Sequence, residues 1–306
     1  MRPLITGATG TLGRELLAKY KEAVVLSRDP SRVHGLGVSV EARAWRPEAE
    51  EAPRDAFAGV GTVFHLAGEP VAEGRWTREK KQRIRSSRVL GTRNLVATFA
   101  KLSQPPKVLV SASAVGFYGD RGDEVLDEGS GVGDGFLAEV CQAWEREARA
   151  AEGLGVRVVC LRIGVVLASK GGALEQIITP FKIGVGGRLG NGAQWMPWVH
   201  IDDVIGILLH AGRDAEISGP MNAVSPHPVT NSEFTQVLAN LLHRPAMLAV
   251  PKAALRVAFG EVSDVLLASQ RVLPRRAGES GYSFRYPDLS GAIAAAIDNP
   301  SRGAAA

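Results

Sequence analysis

Three glycines near the start of the chain restrict its fold more than any other feature. Gly7, Gly10 and Gly13 have the spacing G-x-x-G-x-x-G and directly follow the apolar residues Leu4 and Ile5. Apolar residues then recur at helical spacing, which predicts a buried strand, a tight turn and a helix in this order. Such a turn lets backbone approach a ligand closely, and the helix N-terminus behind it suits a pyrophosphate. The alternative is an ordinary glycine turn.

Strand-like apolar runs alternate with helical patterns in the first half of the chain. The runs are AVVLS (23–27), EARAW (41–45), TVFHLAG (62–68), KVLVSAS (107–113) and VRVVCLRIG (156–164), with helical patterns over 80–101 and 136–152. This alternation predicts a parallel sheet covered on both faces, and right-handed crossovers make it doubly wound. We therefore expect an α/β Rossmann domain over residues 1–166, with 196–224 added to it.

The remaining residues, 167–306, predict a smaller, mainly helical C-terminal lobe interleaved with the Rossmann domain. Its segment 169–198 is rich in glycine and shows little regular pattern, which is typical of a stretch that shapes a pocket. Four large side chains there would wall an apolar substrate pocket or equally form a packed core between the lobes. They are Phe181, Trp195, Met196 and Trp198.

Two later segments carry helix-start signals. His200 and Asp202 in WVHIDD are more typical of a helix cap than of a catalytic pair. Thr230 and Glu233 have the spacing of a capping box. Both segments are therefore expected to open helices.

Charge and composition restrict the partners. The chain has 306 residues with 36 basic and 32 acidic side chains, a net charge of +4. This dilute excess suits an anionic cofactor and is not the footprint of a nucleic-acid-binding protein. The densest basic stretch, 75–88, is predicted to be mainly the solvated face of a helix. We expect a small-molecule substrate; a homodimer is one open possibility for the assembly.

Compartment follows from cysteine usage and hydropathy. Cys141 and Cys160 lack metal-ligand spacing, so we expect no metal, and two cysteines fit a reduced compartment. No apolar run reaches the length of a membrane span, and a first strand beginning almost at Met1 leaves no room for a signal peptide. These features favour the cytoplasm.

The end of the second strand carries a cofactor preference. An NAD site usually has an acid here, about 20 residues beyond the first glycine, to bind the ribose 2′-hydroxyl. Ser27 stands at that place and Arg28 follows it. A hydroxyl and a guanidinium would bind a 2′-phosphate, which an acid would repel. The local chemistry therefore favours NADP over NAD, unless Arg28 is occupied by a pair with Asp29.

Longer motifs are similar to those of the extended short-chain dehydrogenase/reductases over almost the full chain. They are the glycine triplet, HLAG (65–68), GTRNL (91–95), SASAVGFYGD (111–120) and WVHIDDV (198–204). More narrowly, LAGEP followed by GRW, FLAEVCQAWEREA, PFKIGVGGRLGNGAQWMPWVHIDD and VLPRRAGESGYSFRYPDL resemble an atypical NAD-dependent epimerase branch. That branch has a C-terminal domain of unknown function and is loosely called cell-division-inhibitor-like. The resemblance implies NADP and an oxidoreductase or epimerase activity on an unsettled substrate.

A set of residues is expected to hold the cofactor. Gly68 ends the fourth strand, where ligands bind in parallel sheets, and Glu69 is either a pocket acid or a solvated one. Arg88 stands where the family pattern has Asn, and it would either clamp a phosphate or the substrate or be exposed on its helix. The full set is Gly7, Thr9, Gly10, Thr11, Leu12, Gly13, Ser27, Arg28, Leu66, Ala67, Gly68, Glu69, Arg88 and Leu137.

The catalytic set departs from the family pattern. The resemblance implies a Ser or Thr after strand five and a Tyr with a Lys four residues on, where the Tyr transfers the proton. Registering the helix on Glu145 puts Leu137 at the Tyr position and Cys141 at the Lys position, and no Y-x-x-x-K string exists in the chain. Ala114 falls at the Ser position, with Ser113 beside it.

Two substitutes for the missing groups carry hydroxyls. Ser113 would hydrogen-bond a substrate carbonyl, and Tyr118 has a phenol, although a packing role fits Tyr118 better. Cys141 would lie near the nicotinamide, although a buried, unreactive thiol is the simpler interpretation of this residue. Two functions follow: an NADP-dependent oxidoreductase or epimerase with unusual acid–base groups, or a non-catalytic NADP-binding regulator or redox sensor.

Overall fold

The structure is a computed structural model that describes residues 2–33, 39–169, 173–246 and 248–298. Its strands are β1 (Arg2–Thr6), β2 (Glu22–Ser27), β3 (Ser39–Ala44), β4 (Val60–His65), β5 (Val108–Ala114), β6 (Val125–Leu126), β7 (Arg157–Ile163), β8 (Val165–Leu167), β9 (Gly187–Leu189), β10 (Trp195–Met196), β11 (Trp198–His200), β12 (Gly219–Ala223), β13 (Val229–Thr230), β14 (Leu248–Val250) and β15 (Arg271–Val272). Its helices are α1 (Thr11–Leu17), α2 (Arg78–Phe99), α3 (Phe136–Arg149), α4 (Ala173–Lys182), α5 (Ile201–Arg213), α6 (Asn231–Leu242), α7 (Lys252–Phe259), α8 (Val262–Leu267), α9 (Arg275–Glu279) and α10 (Leu289–Asp298). Short 3₁₀ helices cover Pro30–Val33, Arg54–Phe57, Val115–Tyr118 and Ala150–Leu154.

A seven-stranded parallel sheet organises the chain, with the strand order β12-β7-β5-β4-β1-β2-β3. From β1 the chain builds outward to β2 and β3, and it then returns to place β4 on the other side of β1. The order therefore reverses between β1 and β4, which is the switch point where doubly wound sheets bind ligands. The predicted Rossmann fold is confirmed.

Both faces of this sheet are buried, which explains the continuous apolar strands. Ile5 and Val25 belong to one core with α1 and α5, whereas their neighbours Leu4 and Val24 belong to another with α2. Adjacent residues of a strand point to opposite faces, so every position of β1 and β2 has a helix to pack against. A parallel sheet of this kind needs apolar side chains at both parities.

The C-terminal lobe has its own core. Phe181 and Trp198 pack with Phe234, Leu238 and Ile293, and Trp198 is fully buried. Of the two readings for these large residues, the packed core fits Phe181 and Trp198. The segment 169–198 is also more regular than its sequence suggests, since it contains α4, β9 and β10; its residues 170–172 lie outside the described part.

Helix starts in this lobe follow the predicted capping chemistry. The His200 side chain caps α5 by accepting a hydrogen bond from the Asp202 backbone N–H at 3.1 Å. Thr230 and Glu233 form a reciprocal capping box at the start of α6. The buried carboxylate of Asp203 accepts hydrogen bonds from the backbone of Arg285 at 2.7 Å and of Tyr286 at 2.9 Å. That contact ties the C-terminal segment to the helix behind the sheet.

Candidate cofactor cleft and active site

The glycine turn lies between β1 and α1 at the switch point. Gly7 has a positive φ of 72°, and a Cβ there would lie 2.8 Å from the backbone of Leu66. A Cβ on Gly13 would lie 2.2 Å from the Gly7 carbonyl oxygen, whereas one on Gly10 meets only that oxygen at 3.3 Å. Gly7 and Gly13 are therefore required by the packing of the turn itself. Gly10 forms the N-cap of α1, and a Cβ there would make one tight contact, with the Gly7 carbonyl oxygen.

A buried histidine joins the motifs around this turn. His65, at the end of β4, lies between the Thr6 hydroxyl at 2.8 Å and the Thr92 hydroxyl at 2.9 Å. The Thr6 oxygen also accepts from the backbone N–H groups of Leu66 and Ala67, each at 3.2 Å. Burial lowers the pKa of His65 to about 4, so the ring is neutral at pH 7. These hydrogen bonds of His65 hold the ends of β1 and β4 against α2.

The hydrogen bonds of Ser27 and Asp29 at the end of β2 do not involve the side chain of Arg28. The Ser27 hydroxyl accepts from the Asp29 backbone N–H at 3.2 Å, and the Asp29 carboxylate accepts from the backbone N–H of Ser31 at 3.0 Å. Arg28 is exposed. Among the described residues it has no hydrogen-bond or ion-pair partner. The alternative pairing of Arg28 with Asp29 is therefore not the arrangement in the structure.

The next strand end presents Gly68 to an arginine of α2. A Cβ on Gly68 would lie 3.1 Å from the guanidinium carbon of Arg88. Arg88 Nη1 donates to the carbonyl oxygens of Glu69 at 2.9 Å and Ile84 at 3.2 Å, and its guanidinium lies 5.1 Å from the ring centroid of Trp144. Within the described ranges it has no carboxylate partner, and burial lowers its pKa. Arg88 is thus a half-buried cation held mainly by neutral groups.

The Glu69 carboxylate faces α2. It pairs with Lys80 at 2.9 Å, and the hydrogen bond from Lys80 lowers the pKa of Glu69. Lys80 is buried, so the basic stretch 75–88 is only partly a solvated helix face. The inner side of this stretch holds the loop that follows β4.

The far end of the cleft, at β5, holds a buried polar network. Arg162 and Glu145 form a two-pronged ion pair with N–O distances of 2.8 and 2.9 Å, and the Ser113 hydroxyl donates to Glu145 at 2.7 Å. Arg162 also donates to the Tyr118 hydroxyl at 3.0 Å, and this hydroxyl lies 2.8 Å from Asn222 Oδ1. Ser113 is 3% exposed and Tyr118 is fully buried.

These contacts bear on the two candidate catalytic hydroxyls. Burial raises the pKa of Tyr118. Although burial lowers it, the pKa of Arg162 is held above its usual value by its hydrogen bonds to Glu145. The network is therefore an ionised pair surrounded by neutral hydroxyls. A catalytic role for Ser113 or Tyr118 stays a prediction, and the contacts of Tyr118 match its alternative role in packing.

The positions that would carry a Tyr and a Lys face the same end of the cleft. Leu137, in the first turn of α3, packs on Gly116, where a Cβ would lie 3.1 Å from the Leu137 Cβ. The Cys141 thiol is buried, and burial raises its pKa to about 11, with the Arg88 charge acting in the opposite direction. A neutral thiol on α3 thus lies beside a cation supplied by α2.

Comparisons with known proteins agree with this geometry. A model of the NAD dependent epimerase/dehydratase family matches residues 3–224, and a domain of unknown function, DUF1731, matches 250–296. This chain belongs to the NAD-dependent epimerase/dehydratase family. A Mycobacterium bovis relative, epimerase family protein Mb2239, is 37% identical over 302 residues, which cover 97% of each chain.

Solved structures of epimerase-family proteins superpose closely. The crystal structure of human epimerase family protein SDR39U1 (isoform 2) with NADPH has a TM-score of 0.87 and 34% identity, covering 98% of this chain and all of that one. A nucleoside-diphosphate sugar epimerase from Corynebacterium glutamicum has a TM-score of 0.75 and 36% identity, covering 97% of this chain and 58% of that one. Among the described residues of our epimerase-family protein, no helix is both long and apolar enough to cross a membrane.

Sequence reasoning missed several groups that shape this site. The sequence predicts no site role for Arg162, which stands inside the apolar run 156–164, or for Glu145, which serves only to register the helix. A charge inside a buried strand requires a buried partner, so the strand itself carried a signal. Gln270, whose side-chain amide contacts the turn after β5, has no comparable signal because its partners are backbone carbonyls.

Proposed function

We propose that this epimerase-family protein binds NADP(H) and acts as an oxidoreductase or epimerase on a small substrate without the usual Tyr-x-x-x-Lys pair. The observation that carries the proposal is the carboxyl edge of the sheet, whose two ends are built differently. One end has a glycine turn, an uncapped helix start and an arginine without an acid partner. The other has a leucine and a cysteine at the two positions where the family pattern places Tyr and Lys.

The residues present fit the dinucleotide. The backbone around Gly7, Gly10 and Gly13 would cradle the pyrophosphate, with Thr9, Thr11 and Leu12 in the same turn. Ser27 and Arg28 would meet the 2′-phosphate, because the Arg28 guanidinium donates to phosphate oxygens. The Ser27 hydroxyl would turn toward the phosphate from the Asp29 carbonyl, to which it donates at 2.9 Å. The crystal structure of human SDR39U1 with NADPH supports this choice of cofactor.

The middle of the cleft would hold the nicotinamide half. Before it, Leu66, Ala67 and Gly68 at the end of β4, followed by Glu69, would let the adenine ribose and pyrophosphate pass over their backbone. Leu137 would offer the nicotinamide half an apolar contact near β5. We propose that Arg88 supplies the positive charge that binds the ligand in this region. Burying a charge without an acid partner is costly. An anionic or hydroxyl-rich group of the cofactor or substrate would offset that cost.

The chemistry at the far end follows from what is missing. Bound NADP(H) would supply or accept a hydride there. A positioned acid contributes about 10²–10⁴-fold to a proton-coupled step. Leu137 has no proton to donate, and the Cys141 thiol stands at the position of the family's Lys rather than of its Tyr. Ser113 is the remaining nearby hydroxyl for a carbonyl oxygen. Substrates that need little proton assistance, such as activated carbonyls or quinones, suit this arrangement best.

A second candidate is a non-catalytic NADP(H)-binding regulator. The observation that favours it is the commitment of Ser113 and Tyr118 to a buried network. The protein would then use the nucleotide as a structural or redox-sensing ligand. In either case we propose a small-molecule ligand and a cytoplasmic location, which two buried free cysteines suit.

Calorimetric titration with NADPH and NADH tests the binding half. Arg28→Ala should weaken NADPH by about 1.5–3 kcal/mol, the value of a charge-assisted contact, and leave NADH nearly unchanged. Arg244→Ala removes an exposed arginine that follows α6 in the C-terminal lobe and is the matched control. Equal affinity of the parent for both cofactors would refute the proposed selectivity.

A turnover screen separates the two candidate functions. NADPH oxidation is followed with quinones, diketones and nucleotide sugars on the parent protein. Turnover of one of these classes supports the enzyme. Tight NADPH binding with no turnover in any class supports the regulator.

A further inference from the structure

The turn at the far end of the cleft is held by a residue from outside the Rossmann sheet. The 3₁₀ helix Val115–Tyr118 directly follows β5, and its Gly116 packs on Leu137. The Gln270 amide nitrogen donates to the carbonyl oxygen of Val115 at 3.0 Å and to that of Gly119 at 2.8 Å. The two N–H bonds of one carboxamide thus close both ends of the turn.

Gln270 is itself fixed by its neighbours. Its backbone N–H donates to the Trp195 carbonyl at 3.2 Å. The Ser269 hydroxyl donates to the Gly122 carbonyl at 2.6 Å and accepts from the Trp195 backbone N–H at 3.0 Å. Asp120 accepts from the Ser269 backbone N–H at 3.1 Å. Ser269 and Gln270, which we call the clamp, therefore join the loop after β5 to the C-terminal lobe.

The clamp continues into a strand pair. Arg271 and Val272 of β15 pair in parallel with Val125 and Leu126 of β6. Gln270 is 8% exposed, so its two hydrogen bonds are largely shielded from water, where losing a partner is costly. Both bonds bridge more than 150 residues of sequence, from the DUF1731 match to the segment after β5.

We infer that Gln270 is a positioning residue through which the DUF1731 domain sets the geometry of the nicotinamide end of the cleft. The effect of Gln270 on the bound cofactor rests on the proposed function, whereas its role in holding the turn 115–119 does not. Without the carboxamide, the carbonyls of Val115 and Gly119 lose their shared donor. The turn that packs on Leu137 then gains freedom, while the glycine turn at β1 is untouched.

Hydrogen exchange on the cofactor-free protein tests the mechanical part. Gln270→Met keeps the side-chain length and removes the donors, and it should speed amide exchange in the peptide covering 115–119 by about tenfold or more. Gln194→Met is the matched control, since this equally buried glutamine donates to the Leu189 carbonyl at 3.1 Å and does not touch the turn. Unchanged exchange at 115–119, or an equal rise in the control, would overturn the inference.

Bound NADPH tests the link to the cleft. In Gln270→Met the nicotinamide fluorescence of bound NADPH should shift, while its affinity changes less than about threefold because the phosphates bind elsewhere. A purely structural residue would leave that fluorescence unchanged, and this outcome would overturn the link. If Gln270→Met does not fold, Gln270→Asn, which keeps the donors on a shorter arm, takes both measurements. A parent that binds no NADPH would refute the proposed function and leave the exchange result to decide on the clamp.

Discussion

The two ends of the cleft are built on different principles. At β1 and β2 the turn is made of backbone, a neutral buried histidine and an arginine without an acid partner. At β5 the same sheet edge carries a buried ion pair, two engaged hydroxyls, a thiol and a leucine. At the first end the Arg28 guanidinium has no partner among the described residues, whereas at the second the Ser113 and Tyr118 hydroxyls and the Arg162 guanidinium are hydrogen-bonded within the protein. The comparison supports the proposed function, in which the cofactor end follows the family pattern and the proton-transfer end departs from it.

The buried pair at β5 offers the largest effect. Arg162→Met leaves the Glu145 carboxylate buried without its cation, which should cost about 3–5 kcal/mol. Arg93→Ala removes a cation from an ion pair with Glu147 in which the arginine side chain is 55% exposed, and it should cost about 0–1 kcal/mol. Denaturant unfolding measures both. A loss near 1 kcal/mol for Arg162→Met would mean that the network adds little to the β5 end.

The next largest effects are expected from two glycines of the β1 end, Gly13 and Gly10, which have different roles. Gly13→Ala places a Cβ against a carbonyl oxygen and should cost about 3 kcal/mol or more through overpacking. Gly10→Ala should lower the midpoint of unfolding much less than Gly13→Ala, because its single tight contact is at 3.3 Å, and it should weaken NADPH binding. Thermal melts and calorimetry separate the two variants. Equal melting temperatures would contradict the division.

Acid stability probes the histidine between the ends. Because the folded pKa of His65, about 4, is below the ordinary value of about 6.5, the unfolded chain binds the proton more readily. Its contribution to stability is therefore complete above pH 6.5 and is lost as the pH falls toward 4, by on the order of 3 kcal/mol.

His65→Gln removes this titration. The variant should be less stable at pH 7, and its free energy of unfolding should change less between pH 6.5 and 4 than that of the parent. The free energy of unfolding of both proteins, measured between pH 4 and 6.5, tests this expectation. Identical slopes for the two proteins would exclude the histidine as the titrating group.

Local motifs predicted the strand, turn and helix at β1 because these elements follow one another directly in the sequence. The glycine turn, the strand end at Ser27 and the doubly wound order all follow from short patterns. The β5 end depends on pairs such as Arg162 with Glu145 and Gln270 with Val115, which no spacing rule joins. Arg88 is intermediate: its departure from the family's Asn was visible, but its proximity to Cys141 appears only when α2 and α3 pack together.

That proximity affects how the Tyr and Lys of the family pattern should be introduced into this protein. A lysine introduced at Cys141 would lie beside the Arg88 guanidinium, and like charges in a buried site repel. The Arg88 guanidinium and a lysine at position 141 are therefore not expected to be accommodated together, and one should replace the other. Arg88→Asn, which brings back the family's usual residue, should accompany the change.

Diketone reduction by the rebuilt site tests the central claim most directly. Leu137→Tyr with Cys141→Lys and Arg88→Asn is compared with the parent, with NADPH binding measured in both. The account predicts that the parent is a poor reductase of ordinary diketones, since no acid is positioned there. The triple variant should gain measurable NADPH-dependent activity, and more than the variant that keeps Arg88. A parent that already reduces ordinary ketones efficiently, or a folded, NADPH-binding triple variant with no gain, would contradict it.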